Sequence, residues 1–225
     1  MLQSLVDLFF IFIDFLQHVP TYLHMWAVEY GSGLYWILAA IIFCETGLVV
    51  TPILPGDSLL FAAGAIIAMH LPGIDLLTMC IVLTIAAILG DLVNYHFGKW
   101  IGPKVFAEGK QARWLNRKHL DKTREFYLKH GGKTIILARF IPIVRTYAPF
   151  VAGMSGMRYG QFFLFNVVGG AVWVVSFLVI GYFFGNLPFV KSRFQYIILG
   201  IIIVSVLPVV FEIWKARRAA KAAKA

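Results

Sequence analysis

Apolar positions in this chain run in long blocks. They follow neither the two-residue alternation of a half-buried strand nor the single stripe of a surface helix. Residues 161–185 form 25 consecutive positions without a charge, enough to cross a hydrocarbon core about 30 Å thick at about 1.5 Å per residue. Residues 74–98, ending at GDLVNYHFG, predict a second span. Residues 34–50 predict a third, with Glu45 near its far end, and 194–214 a fourth. Residues 1–17 are apolar but carry Asp7 and Asp14, seven apart and so on one helix face. That pattern predicts an N-terminal interfacial or amphipathic helix within residues 1–30.

Two apolar segments are broken. The first span is followed by Pro52 and Pro55-Gly56-Asp57, then by a 12-residue apolar piece, Ser58 to Met69. As a helix that piece is only about 18 Å long, too short to cross. Residues 134–157 contain Arg139, Pro142, Arg145 and Pro149. Interior charges and prolines suit broken helix facing protein or water, not lipid.

Charge settles how these pieces thread. Residues 1–98 hold seven acids and no Lys or Arg, whereas ten bases fall between Lys99 and Lys133 and five in the tail after Glu212. The positive-inside rule accounts for such clusters more cheaply than nucleic-acid binding and puts both in the cytoplasm. An even number of crossings must then separate them. Spans 161–185 and 194–214 supply two, so 134–157 is expected to enter and leave by the same face, as a re-entrant hairpin. With 60% hydrophobic and 14% charged residues, against about 45–50% and about 25% in soluble domains, the chain reads as an integral membrane protein. The absence of bases from the first 98 residues also excludes the charged start of a secretory signal. Cys44 lies in an apolar run and is expected to be a packed thiol.

A weak internal repeat supports the threading. Phe61-Ala62-Ala63-Gly64 recurs as Phe150-Val151-Ala152-Gly153, offset by 89, and Tyr95-His96-Phe97-Gly98 recurs as Tyr182-Phe183-Phe184-Gly185, offset by 87. The expected fold is an all-α polytopic membrane protein, an inverted repeat of re-entrant hairpin plus transmembrane helix. Pro/Gly-interrupted segments at corresponding positions point to a transporter's midplane site. The expected organisation is an N-terminal segment 1–30, a first repeat 31–98, a basic cytoplasmic amphipathic linker 99–133, a second hairpin with two spans 134–214, and a basic cytoplasmic tail 215–225.

Four charges fall in or beside the hairpins: Glu45 and Asp57 with the first, Arg139 and Arg145 with the second. At the membrane centre each costs about 2.5–3.5 kcal/mol on an insertion scale, so they need partners or a wet cavity. Arginine's rigid fork donates in pairs to phosphate, and a carboxylate held away from water exchanges protons nearer neutrality. Two acids and two arginines therefore suit a proton-coupled anion site, the alternative being two ion pairs that join the hairpins. Asp91 and Asn94 share a helix face and read either as an extension of the proton path or as a structural polar pair, with interhelical hydrogen bonding the simpler account. Six scattered histidines show no metal-ligand spacing, and no P-loop or hydrolase motif is present. No metal, cofactor, nucleic-acid partner or enzymatic activity is expected.

The strings FCETGLVVTPILPGDSLL, AAILGDLVNYHFG and ILARFIPIVRTYAPFVAGMSG resemble the DedA family of bacterial inner-membrane proteins, which shares its VTT/SNARE-associated core domain with eukaryotic endoplasmic-reticulum lipid scramblases. The resemblance covers roughly residues 30–215. It implies paired re-entrant hairpins and a flippase returning undecaprenyl phosphate across the inner membrane, dependent on the proton motive force and supporting envelope integrity. The family's essential acids match Glu45 and Asp57, and its essential arginines match Arg139 and Arg145. Residues alone reach only an anionic ligand with proton coupling. A passive phospholipid scramblase and a non-transporting envelope assembly factor stay open, as does a homo-oligomer.

Overall fold

The computed structural model describes residue 19 and residues 21–48, 56–107, 132–184 and 187–188. Every regular element among the described residues is helical. Residues 21–30 pass through a 3-10 turn, Gly31–Gly33, into α1, Leu34–Gly47; then follow α2, Gly56–Ile67, and α3, Leu76–Ala107. Beyond residue 131 come α4, Lys133–Ala138, α5, Pro142–Met154, and α6, Tyr159–Phe184.

Among the described residues, three stretches are long and apolar enough to cross a membrane: Thr21–Gly47, Leu76–Ile101 and Tyr159–Phe184. Their outward faces are what lipid requires. Leu77, Ile81, Ile85, Leu89, Val93 and Phe97 form an exposed apolar stripe along α3, repeating every four residues. Such a stripe would be a large unprotected patch in water; against lipid tails it needs no cover. The protein is an all-α membrane protein. Cys44, expected inside, is exposed, because the apolar run around it also has an outward face.

Several boundaries differ from expectation. The first span begins in residues 21–30, which the glycines at 31 and 33 join to α1 by a 3-10 turn without interruption, Gly31 taking a left-handed φ of 51°. The helix expected to end at residue 98 continues to Ala107. Around the second broken segment the interruption falls at residues 139–141, with Pro142 at the start of α5, where its missing N–H is not needed. Pro149, expected to break the chain, lies inside α5. Pro52, Pro55, the fourth span 194–214, the tail, most of residues 1–20 and most of the basic linker lie outside the described residues.

The chain forms two compact units, one from Met1–Leu34, Pro55–Leu76 and Phe177–Ala225, the other from Tyr35–Leu54 and Leu77–Ser176. In the first, α2 is buried along its length except at Asp57, and it meets the end of α6 backbone to backbone. A Cβ at Gly64 would strike the Leu178 carbonyl, and one at Gly181 the Phe61 carbonyl. The chain leaves α2 at His70, which takes a left-handed φ of 55°.

The second unit is built around Tyr95, Phe162, Phe150 and Val151, with Ala138, Ala148 and Ala152 filling between them. Tyr95 stacks on Phe162 with ring centroids 4.3 Å apart. Here α3 and α5 also touch through backbone: Gly98 lies on Phe150, and Gly153 on the Tyr95 carbonyl. The FAAG and FVAG strings therefore make the same kind of crossing in their own units. Their partners, Gly98 and Gly181, are 83 apart, one helical turn out of register with the offset of 87 read from YHFG and YFFG.

Candidate functional site

The second unit gathers four buried charges. Glu45 sits in the last turn of α1, Asp91 midway along α3, Arg139 on the interruption between α4 and α5, and Arg145 in the first turn of α5. Arg145 Nη2 donates to Glu45 Oε1 at 2.6 Å. Arg139 Nη2 donates to Asp91 Oδ2 and also to Asn166 Oδ1. Two carboxylates thus face two guanidinium groups, and the set is neutral when all four are ionised. Isolated charges so deep would be costly, and paired ones still sacrifice much hydration.

Local sequence explains why the arginines can turn inward. Arg139 caps α4, its N–H bonding back to the Ile136 carbonyl, and the next helix starts only at Pro142. The interruption lets two arginines six residues apart both reach the interior. Trp173, fully buried on α6, lies against both guanidinium groups, with Arg145 Cζ 4.7 Å and Arg139 Cζ 6.0 Å from the ring centroid. An aromatic face stabilises a cation without neutralising it. Asn166, Gly169, Gly170 and Trp173 lie at i, i+3, i+4 and i+7 along α6, one helix face. The two glycines leave room for the Arg139 head: a Cβ at Gly169 would come within 3.2 Å of Nε, and one at Gly170 within 3.6 Å of Cζ.

Asn94 does a different job. Its Nδ2 donates to the Thr46 carbonyl at 3.2 Å and the Thr146 carbonyl at 2.9 Å. The first belongs to the last turn of α1, where carbonyls have no helical partner. The second lies inside α5, one residue beyond the Arg145 carbonyl that the N–H missing from Pro149 would have served. One amide therefore ties α1 and α5 to α3.

Of the residues singled out from the sequence, Glu45, Asp91, Asn94, Arg139 and Arg145 come together in this unit. Asp57 belongs to the other unit, half-buried in the first turn of α2, where a carboxylate suits the helix N-terminus. Gly56 is the first residue of the same helix. Sequence reading passed over Asn166 and Trp173, because they lie in the span without charge or break. The available signal was an Asn, two glycines and a Trp on one face of a helix that is mostly aliphatic and aromatic. Among the described residues no group of His, Cys, Asp and Glu could hold a metal ion. What the arrangement offers is a pair of guanidinium forks in an apolar wall, able to receive an anion's oxygens.

The VTT domain model matches residues 54–183, a stretch that includes every site residue named above except Glu45. Protein DedA of Escherichia coli (strain K12) is 51% identical over 220 residues, 97% of this chain and 100% of that protein. The uncharacterized membrane protein Rv0364 of Mycobacterium tuberculosis is 40% identical over 192 residues, 84% of each chain. Inner membrane protein YqjA of Escherichia coli (strain K12) is 36% identical over 166 residues, 72% of this chain and 73% of that one. No solved structure matches.

Proposed function

Since the chain belongs to the DedA family of VTT-domain membrane proteins, we propose that it is a transporter, a flippase of anionic lipid phosphate rather than an enzyme, with undecaprenyl phosphate as substrate and the proton motive force as drive. One observation carries this reading. Arg139 and Arg145, both buried, lie against the same Trp173 ring, each facing a carboxylate. Guanidinium forks in an apolar wall suit a phosphate monoester on an isoprenoid tail better than a zwitterionic headgroup. The carboxylates, Glu45 foremost, are the proton-carrying groups in this proposal, with Asp57 assigned the same role from the other unit.

The proposed setting is the bacterial inner membrane. The polypeptide in this proposal runs as an N-terminal segment 1–30, a first span, first hairpin and following span in 31–98, a basic cytoplasmic linker 99–133, a second hairpin and two spans in 134–214, and a basic cytoplasmic tail 215–225. In this proposal α2 with the residues before it, and α4 with α5, are re-entrant hairpins entering from opposite faces, which keeps Arg139 and Arg145 near the membrane midplane. Partners are the lipid phosphate, surrounding lipids and protons, in support of envelope maintenance.

The direct Glu45–Arg145 contact at 2.6 Å favours a second reading, a passive scramblase in which the ion pairs only join helices. Reconstitution separates the two. Liposomes carrying labelled undecaprenyl phosphate should show protein-dependent movement that an imposed proton gradient accelerates several-fold. Equal movement of phosphatidylcholine, indifferent to the gradient, would favour the scramblase.

A further inference from the structure

Arg139 is only 2% exposed, yet a single one of its three nitrogens is engaged among the described residues. Nη2 serves Asp91 Oδ2 and Asn166 Oδ1 together, while Nε and Nη1 meet no acceptor there and Asp91 Oδ1 meets no donor. Buried N–H groups of a guanidinium are rarely left so, because each keeps the desolvation penalty without the bond. The glycines at 169 and 170 leave this side of the guanidinium uncovered: a Cβ at Gly169 would come within 3.2 Å of Nε, and one at Gly170 would lie in ordinary contact with Nη2 at 3.5 Å. Asn166 is anchored independently, its Nδ2 donating to the Ile88 carbonyl at 3.1 Å. One neutral acceptor thus fixes the guanidinium while one charged acceptor shares the same nitrogen.

We propose that Asp91 is an internal anion standing in for the substrate's phosphate at Arg139. Both bidentate edges of the guanidinium include Nη2, so in this exchange the lipid phosphate binds by displacing the Asp91 carboxylate from Nη2 and gripping that nitrogen together with the open nitrogen, Nε or Nη1, on the same edge, while Asn166 keeps the guanidinium in place. The inference rests on the phosphate-lipid reading above and adds a residue and a mechanism of release to it. When the carboxylate returns to Nη2, it competes the phosphate away, so a buried arginine can hold its anion without trapping it.

The consequence runs opposite to that of a structural ion pair. Removing the competitor with Asp91→Asn leaves Arg139 without its counter-charge and should tighten binding of farnesyl phosphate, a short polyprenyl phosphate, by about tenfold, within the usual range of site coupling. Asn166→Asp, which gives Arg139 a second carboxylate, should weaken it by about as much. Asp91→Asn with Asn166→Asp moves the single carboxylate across Nη2 and should return affinity to within a few-fold of wild type. Binding is measured on the full-length protein in detergent, with inorganic phosphate and farnesol as separate probes. Shifts seen with farnesyl phosphate alone assign the exchange to a lipid headgroup, and shifts of equal size with inorganic phosphate assign it to the free anion; farnesol should show none. Unchanged or weaker farnesyl phosphate binding by Asp91→Asn overturns the exchange. Should that variant not fold, undiminished binding by Asn166→Asp, or failure of the double variant to recover, does the same. Absence of any binding by wild type would overturn the phosphate-lipid reading itself.

Discussion

At the scale of single residues, the shape of the cation matters as much as its charge. Arg145 donates from Nη2 to Glu45 at 2.6 Å while its Cζ lies 4.7 Å from the Trp173 ring centroid, a combination that the compact ammonium of a lysine cannot copy. Arg145→Lys and Arg139→Lys should therefore keep the charge balance and most of the stability, as judged by thermal melting. Farnesyl phosphate affinity should fall by roughly ten- to a hundredfold, the equivalent of about 1.5–3 kcal/mol for hydrogen bonds to a charged group. Lysine variants that bind as wild type would reduce the arginines to counter-charges. Glu45, Arg139 and Arg145 stood out in the sequence because a charge inside an apolar run must have a reason. Their pairing did not. Nothing in the spacing tells that Arg139 faces Asp91 while Arg145 faces Glu45, since that choice depends on how α1, α3, α5 and α6 pack. Asn166 and Trp173 look like ordinary span residues until α6 is placed beside the arginines.

At the scale of elements, glycine decides where helices touch. Gly98 and Gly153 bring α3 and α5 into backbone contact, the close approach that small residues permit in membranes, where packing rather than the hydrophobic effect holds helices together. Gly98→Leu and Gly153→Leu should each force the pair apart, destabilising the protein by about 1–3 kcal/mol as overpacking does. Gly160 on α6 has open space around the position of a Cβ, so Gly160→Ala should be neutral or slightly stabilising. Melting curves in one detergent check all three, and equal melting of the first two with wild type would remove the crossing from the account. Spans were legible because lipid demands long uninterrupted apolar runs, and the structure places candidate spans where three of them were expected. The first span was expected to begin at residue 34, yet a 3-10 turn at Gly31–Gly33 joins it to helix that begins in residues 21–30. Pro149 misled for a related reason: its cost, one N–H and the crowding of one carbonyl, is confined to a single turn, and α5 continues through it. The repeat was visible as matched strings, but strings align letters whereas the crossings align Gly98 with Gly181.

At the scale of the whole molecule, charge segregation makes a claim about sidedness. The bases clustered at Lys99–Lys133 and in the tail should both face the cytoplasm. In a background lacking Cys44 and Cys80, cysteines at residues 120 and 220 should then escape a membrane-impermeant thiol reagent in intact cells, while one at Pro188 is labelled. Labelling at 120 but not at 220 would break the even-crossing argument and with it the proposed second hairpin. The same segregation bears on energy coupling. The first 98 residues contain no Lys or Arg, so Glu45 takes its cation, Arg145, from the second half of the chain. A phosphate arriving at Arg145 brings negative charge into a site that is already balanced. Entry of a proton with the substrate restores the balance, and linkage then makes proton and phosphate binding mutually favourable. Glu45→Gln fixes the protonated charge state permanently. That variant should still bind farnesyl phosphate, yet its undecaprenyl phosphate transport should be the same at equal pH and across an imposed pH difference. Wild type should speed up several-fold under the gradient. A Gln variant that retains the full response would show that Glu45 carries no coupled proton, and Asp91 and Asp57 would be the carboxylates to test next. A wild type indifferent to the gradient would leave the buried pairs with a structural role and the protein a passive scramblase.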